Sequence, residues 1–301
     1  MTEPRTPAHA HGPANARERI HAAFAEAGVT GWLHALDIDS GAQLDAGADH
    51  PVVTASVHKL CLLVALHQQA DSGRLDLTEQ AECPPEGRAP GPTGLSAMLD
   101  PARVSLRDAA YLMMAVSDNT AADLLLHRVG LDAVNETTRR LGLPRTYAAH
   151  TFGEFVATIR EDAGNAGPQA LADPQVLARL RALDPARTNR STPREMTRLL
   201  SAVWRDEACA PELCAAIRRL LSLQVWPHRL ASGFPFDEVH VAGKTGSAPT
   251  LRNEVGVVEY PDRGRYAVAV FTRAASPAGT LPAADAVIGT AARIAVDALR
   301  S

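Results

Sequence analysis

Lysine is nearly absent from this chain: of its 30 lysines and arginines, only Lys59 and Lys244 are lysines. A chain that meets its need for positive charge with arginine has reason to keep an amine only where a proton must come off, because a guanidinium stays protonated. A basic face is also missing. The net charge is −4, which speaks against nucleic acid as a partner. Met1 to Ala14 is rich in Pro, His and Ala and has no apolar core of the kind an export signal needs, and no later stretch is long and unbroken enough to cross a bilayer. The expectation is a soluble, cytoplasmic protein with no membrane partner, unless an export signal has been removed. Cys61, Cys83, Cys209 and Cys214 lack paired short spacings, so reduced structural thiols are expected rather than a disulfide framework. The histidines show no ligand spacing either, so no metal and no cofactor is expected.

What is present is a globular composition, with 46% hydrophobic residues over 301 positions, enough for one large domain or two lobes. Beyond a disordered start over 1–14, Asn15 to Ala27 reads as a helix stopped by Gly28, and Gly31 to Asp39 with Gln43 to Ala46 as a hairpin. An apolar run from Leu60 to Ala70 is closed by Asp71-Ser72-Gly73, and Glu82 to Gly94, dense in Pro and Gly, reads as a surface loop. Helices follow over Leu106 to Met114, Thr120 to Val129, Thr192 to Val203 and Glu212 to Leu223. Between Gly142 and Pro193 the period is broken, with a short helix over Pro174 to Leu183. Strands run over Val239 to Lys244, Asn253 to Tyr260 and Arg265 to Arg273, before a closing helix over Ala283 to Leu299. The order predicts an α+β fold: an antiparallel sheet flanked by N- and C-terminal helices, built from 15–55 and 205–301, with an inserted helical lobe over 56–204 that contains an omega-like loop near 143–192. A site would lie in the cleft between the lobes.

Three polar motifs interrupt apolar or strand-like stretches: Ser56-Val57-His58-Lys59, Ser117-Asp118-Asn119, and Lys244-Thr245-Gly246 after Gly243. A serine three residues before a lysine puts a hydroxyl beside an amine if the segment is helical, a nucleophile beside a base. His58 between them points away on a helix and reads as a packing or surface residue.

In form and order these motifs resemble those of the penicillin-recognising serine hydrolases, most closely the class A β-lactamases. Ser117 through Leu126, Ser191 through Met196 and Arg229 through Gly246 extend the similarity, which covers the chain from about Trp32 to its end apart from the middle of the omega region. The resemblance implies a β-lactamase/transpeptidase-like fold and an acyl-enzyme on Ser56, with Lys59 as base and the backbone N–H groups of Ser56 and Ser247 facing the oxyanion. It implies that Ser117 relays a proton to the leaving nitrogen and that Asn119 binds the substrate's amide side chain. Lys244 and Thr245 would hold a substrate carboxylate, beside Gly246. Arg252 is either a second anchor for that carboxylate or a solvated strand-end charge. The substrate implied is a small molecule bearing an amide or β-lactam and a carboxylate, handled by a monomer.

One family feature is missing. The omega-loop glutamate that activates the deacylating water, in a pattern of Glu, two residues, Leu and Asn, is not found. Glu154 lies nearest the expected distance and is the candidate, with Glu161 behind it. Hydrolysis of an amide or β-lactam is therefore the leading expectation. Beside it stand a cytoplasmic acyltransferase, carboxypeptidase or esterase acting on a peptide-like metabolite, and a β-lactam-binding module that does not turn over.

Overall fold

A computed structural model describes residues 13–275, 277 and 280–301. Most of the N-terminal segment expected to be disordered, residues 1–12, lies outside the described residues. The fold is the mixed one expected, with helices on both faces of an antiparallel sheet. The chain opens with α1 (Pro13–Glu26), β1 (Val29–Asp37), β2 (Gln43–Ala46) and the short β3 (Val52–Val53). A 3-10 turn over Ala55–His58 leads directly into α2 (Lys59–Asp71). Then come β4 (Gln80–Cys83), β5 (Ala102–Ser105), α3 (Leu106–Ala115), α4 (Asn119–Val129), α5 (Leu131–Arg140), α6 (Phe152–Ala163) and α7 (Pro174–Arg179). The final third holds β6 (Arg190–Ser191), α8 (Pro193–Trp204), α9 (Pro211–Ser222), β7 (His240–Ala248), β8 (Leu251–Glu259), β9 (Arg265–Ala274) and α10 (Pro282–Arg300).

The main sheet has the order β2-β1-β9-β8-β7, so the strands nearest the two ends of the chain meet at its centre and β7 is an edge. Strand alternation divides the core between its two faces. On β9, Tyr266, Val268 and Val270 face α1 and α10, while Ala267, Ala269 and Phe271 face a larger core that runs through α2, α3, α4, α8 and α9. α2 is buried nearly all round, from Lys59 through His67, which is why its apolar run shows no helical period. The helical part and the sheet thus share one continuous core. Nearly complete removal of a leucine from water contributes about 1.5–3 kcal/mol, and α2 alone holds four such leucines.

The loop expected over Glu82 to Gly94 is present from residue 84, its first two residues belonging to β4, while the irregular region expected after Gly142 is corrected. The Pro/Gly-rich segment after Gln80 is bounded by a ladder, Gln80↔Ser105 to Cys83↔Ala102, in a pair of strands too short to show a pattern. The irregular region after Gly142 contains a regular helix, α6, begun by a capping box in which Thr151 and Glu154 satisfy each other's backbone N–H groups. A third, smaller core joins this region to the main body: Phe155, Leu177, Leu180 and Leu183 pack on Val53, Ala55 and Leu251.

Candidate active site

The nucleophile segment is held by two short pairings. Val52 and Val53 pair with Ser191 and Arg190, and Thr54 N donates to Asn189 O at 3.1 Å. The chain then turns sharply: Ala55 takes φ 46, a left-handed conformation that costs a residue with a Cβ about 1–2 kcal/mol. Ser56 follows in the 3-10 turn, where side chains three apart eclipse one another, so its hydroxyl and the Lys59 amine leave the backbone on one side. Ser56 is half-buried and lines a cleft of about 460 Å³ together with Ser117, Asn119, Thr245 and Ser247.

Ser117 sits at φ 60, immediately before the helix cap of α4. The cap is Asp118, fully buried, whose carboxylate accepts Thr120 N at 2.9 Å and Ala121 N at 3.2 Å. It also accepts Leu95 N at 2.5 Å and the Ser96 hydroxyl at 2.9 Å, which ties the 94–97 turn to the helix. Gly94 is required there: a Cβ on it would stand 2.2 Å from Asp118 Oδ2.

Both lysines are completely buried and converge on Ser117. Lys59 Nζ donates to Ser117 O at 2.7 Å, to Ser117 Oγ at 3.3 Å and to Asn119 Oδ1 at 2.7 Å. Lys244 Nζ donates to the same Ser117 hydroxyl at 3.0 Å and to Thr245 O at 2.9 Å. Burial, and then the neighbouring charge of Lys244, hold the Lys59 amine well below the ordinary lysine range. Burial likewise lowers Lys244 to about 7, with Glu254 opposing the shift and Arg229 adding to it. Gly246 lets β7 approach the nucleophile: a Cβ there would lie 2.6 Å from Thr54 O and 3.0 Å from Val57 N. β7 is an edge strand, and Thr245 N points outward, bonded to Gln224 Oε1 at 2.6 Å rather than to β8. Two residues on, Ser247 N–H faces the same way, into the cleft that Ser247 lines.

Neither carboxylate proposed for deacylation faces the cleft. Glu154 is exposed and its Oε2 accepts Thr151 N at 2.8 Å inside the capping box. Glu161 pairs with Arg181 at 2.8 Å. The group beside Lys59 is instead Phe152, whose buried ring is centred 4.8 Å from the amine. Phe152 is fixed from α4 by Asp123, which accepts Phe152 N at 2.7 Å and Gly153 N at 2.8 Å.

Arg252 does not line the cleft. It is buried, not a solvated charge, and donates to Ala248 O at 3.1 Å and Leu251 O at 2.8 Å, with Asp285 at 3.6 Å. The arginine on the cleft wall is Arg229, which bonds Ser247 Oγ at 2.8 Å, Gly246 O at 3.1 Å and Asp285 Oδ1 at 2.7 Å. Trp226 and the exposed His228 stand beside it, edge to face. His58 is buried, which pushes its imidazole down to about 3. Among the described residues no group of three or more His, Cys, Asp or Glu side chains is arranged to hold a metal ion. A larger open depression of about 1060 Å³, bounded by Asp39, Glu259 and Asp262, gathers carboxylates but no serine, cysteine or lysine.

Residues 15–299 match the family model described as the Beta-lactamase enzyme family. A curated relative, the "Beta-lactamase regulatory protein BlaB" of Streptomyces cacaoi, is 35% identical over 304 residues, covering 94% of this chain and 96% of the relative. Among solved structures, a β-lactamase from Sphaerobacter thermophilus DSM 20745 superposes with a TM-score of 0.76 at 27% identity, covering 94% of this chain and 95% of that one. PBP-A superposes with a TM-score of 0.77 at 22% identity, covering 100% of this chain and 99% of its own.

Proposed function

Because this chain belongs to the β-lactamase enzyme family, with the fold of a serine hydrolase, we propose that it forms an acyl-enzyme on Ser56 with a β-lactam or peptide-like amide and releases the acyl group slowly. The observation that carries this reading is the ring of Phe152 at 4.8 Å from Lys59 Nζ, with Glu154 and Glu161 bonded elsewhere. A general base for a deacylating water must reach it within one hydrogen bond, and a phenyl ring supplies none.

In the forward step the Ser56 hydroxyl attacks the amide carbon. Its proton passes to the neutral amine of Lys59, whose burial disfavours the charged form. The oxyanion is met by the N–H groups of Ser56 and of Ser247, the latter on the free side of β7. As the C–N bond breaks, the hydroxyl of Ser117 hands a proton to the leaving nitrogen and is resupplied by Lys59, 3.3 Å away, with the proton taken from Ser56, while Lys244 stays bonded to that hydroxyl at 3.0 Å. The substrate's carboxylate is drawn to Lys244, Thr245 and Arg229, and Asn119 is placed for its amide side chain. The Streptomyces cacaoi relative is named a regulatory protein, which supports a role in which acylation, rather than turnover, is the event that matters.

The test is intact-mass spectrometry after mixing with benzylpenicillin. One adduct per chain should appear, persist for hours and be absent in Ser56→Ala. No adduct at all would sink the proposal, and rapid multiple turnover of a chromogenic cephalosporin would sink its second half.

A further inference from the structure

A buried relay runs behind the cleft-facing edge of β7. Gln224, in the segment after α9, accepts Thr245 N–H on Oε1 at 2.6 Å and donates from Nε2 to Glu254 Oε1 at 2.7 Å. Glu254 Oε2 in turn accepts Leu230 N at 2.7 Å. Glu254 lies opposite Thr245 in the β7/β8 register and is 1% exposed. Gly243 makes room for it, since a Cβ there would be 3.0 Å from Glu254 Oε1.

The direction of each bond is fixed by its backbone ends. Thr245 and Leu230 present N–H groups, which only donate, so Gln224 must turn its oxygen to Thr245 and its NH2 to residue 254. Two donors therefore converge on residue 254, one at each oxygen. A carboxylate accepts both; an amide accepts one and leaves two donors facing each other. A buried charge is otherwise costly at this position. The charged groups facing Glu254 are Lys244 on β7 and Arg229 before Leu230, and those facing Lys244 are Glu254, Arg229 and, on α2, Lys59.

We infer that Glu254 is a positioning residue of the acylation site: through Gln224 it fixes the edge of β7 that carries Lys244, Thr245 and Ser247. Burial pushes Glu254 up to about 7 and Lys244 down to about 7, each opposing the other's shift, and a proton on Lys244 in turn disfavours one on Lys59. The inference rests on the reading that Ser56 is acylated.

Three proteins test it: the wild type, Glu254→Gln, and the exchange Glu254→Gln with Gln224→Glu. In the exchange, the carboxylate brought to position 224 accepts both Thr245 N–H and the NH2 of the amide brought to position 254. The oxygen of that amide accepts Leu230 N–H, so every bond is restored while the charge moves along the relay. Acylation by fluorescent penicillin is followed against pH, with hydrogen exchange of the Thr245 amide and the melting temperature. Glu254→Gln should acylate about tenfold more slowly and lose Thr245 protection, as expected for a buried donor left unmet. The exchange should recover protection and most of the rate, with a displaced alkaline limb. Unchanged acylation and unchanged Thr245 protection in Glu254→Gln overturn the inference. So does a loss of rate that follows melting temperature alike in both variants. If the wild type takes no penicillin, the acylation reading falls, and Thr245 exchange across the three proteins decides the positioning role by itself.

Discussion

The ring of Phe152 stands 4.8 Å from the Lys59 amine, at the first residue of α6. A carboxylate in its place would be next to the buried amine of Lys59, three residues from Ser56. Phe152→Glu should therefore raise the rate of acyl-enzyme breakdown by about a hundredfold, the low end of what a positioned general base supplies. The measurement is the half-life of the penicillin adduct by intact mass. Phe152→Ala is the control: it removes the ring without adding a base and should leave the half-life within a few-fold, at a stability cost of about 3–5 kcal/mol for the lost ring. Equal acceleration in both variants would mean that access of water, not a missing base, limits release.

Lys59→Arg separates charge from proton transfer. A guanidinium keeps the positive charge but does not give up its proton near neutrality. Acylation of this variant should fall by about a thousandfold or more, the scale of a lost general base. A stopped-flow trace with a fluorescent penicillin reads the effect directly, and a variant within tenfold of wild type would remove Lys59 from the base role.

Much of this site was legible before any fold was known, because its chemistry uses rare letters. The only two lysines fall in two of three ordered motifs, and the structure brings them to one hydroxyl, that of Ser117. Arg229 was not legible, since it is one arginine among many: Arg252 lies opposite Ser247 in the β7/β8 register, and only the side-chain hydrogen bonds show that it turns to the carbonyls of Ala248 and Leu251 while Arg229 bonds Ser247. Glu154 carried its own signal, Thr151-x-x-Glu154, which is the mark of a helix start and not of a cleft residue. The central sheet was readable in part, from alternation on β1 and from strand-like stretches over most of β8 and β9. The ladder of β4 and β5 was not, because four residues on each side leave no period to see.

The two lysines also set opposite limits on pH. Acylation needs Lys59 without its proton and Lys244 with one. The Lys59 amine is held well below the ordinary lysine range, so the rate should climb with pH as that amine becomes neutral. Lys244 loses its proton at about 7, so the rate should fall on the alkaline side as the carboxylate anchor discharges. Lys244→Arg keeps a charge that does not titrate. It should flatten the alkaline limb while leaving the acid limb in place, and an alkaline limb that survives this substitution would assign it to another group.

Gly246 and Ala55 both shape the nucleophile turn, one by close approach and one by its backbone conformation. Gly246→Ala would put a Cβ 2.6 Å from Thr54 O, so β7 and the Ser56 turn must part. Acylation should drop by about a hundredfold, because misplacement by an ångström costs that much in orientation. Ala55→Gly relieves a residue held at φ 46 and should stabilise the fold by about 0.5–1 kcal/mol, measured as a shift in the denaturant midpoint. The same substitution should slow acylation several-fold, because the left-handed residue is what aims Ser56 into the cleft, and strain kept at such a place is matched by function lost on its release. A variant both more stable and equally fast would show that the turn is held by the Val52–Val53 pairing and the packing of Phe155 and Leu177 alone.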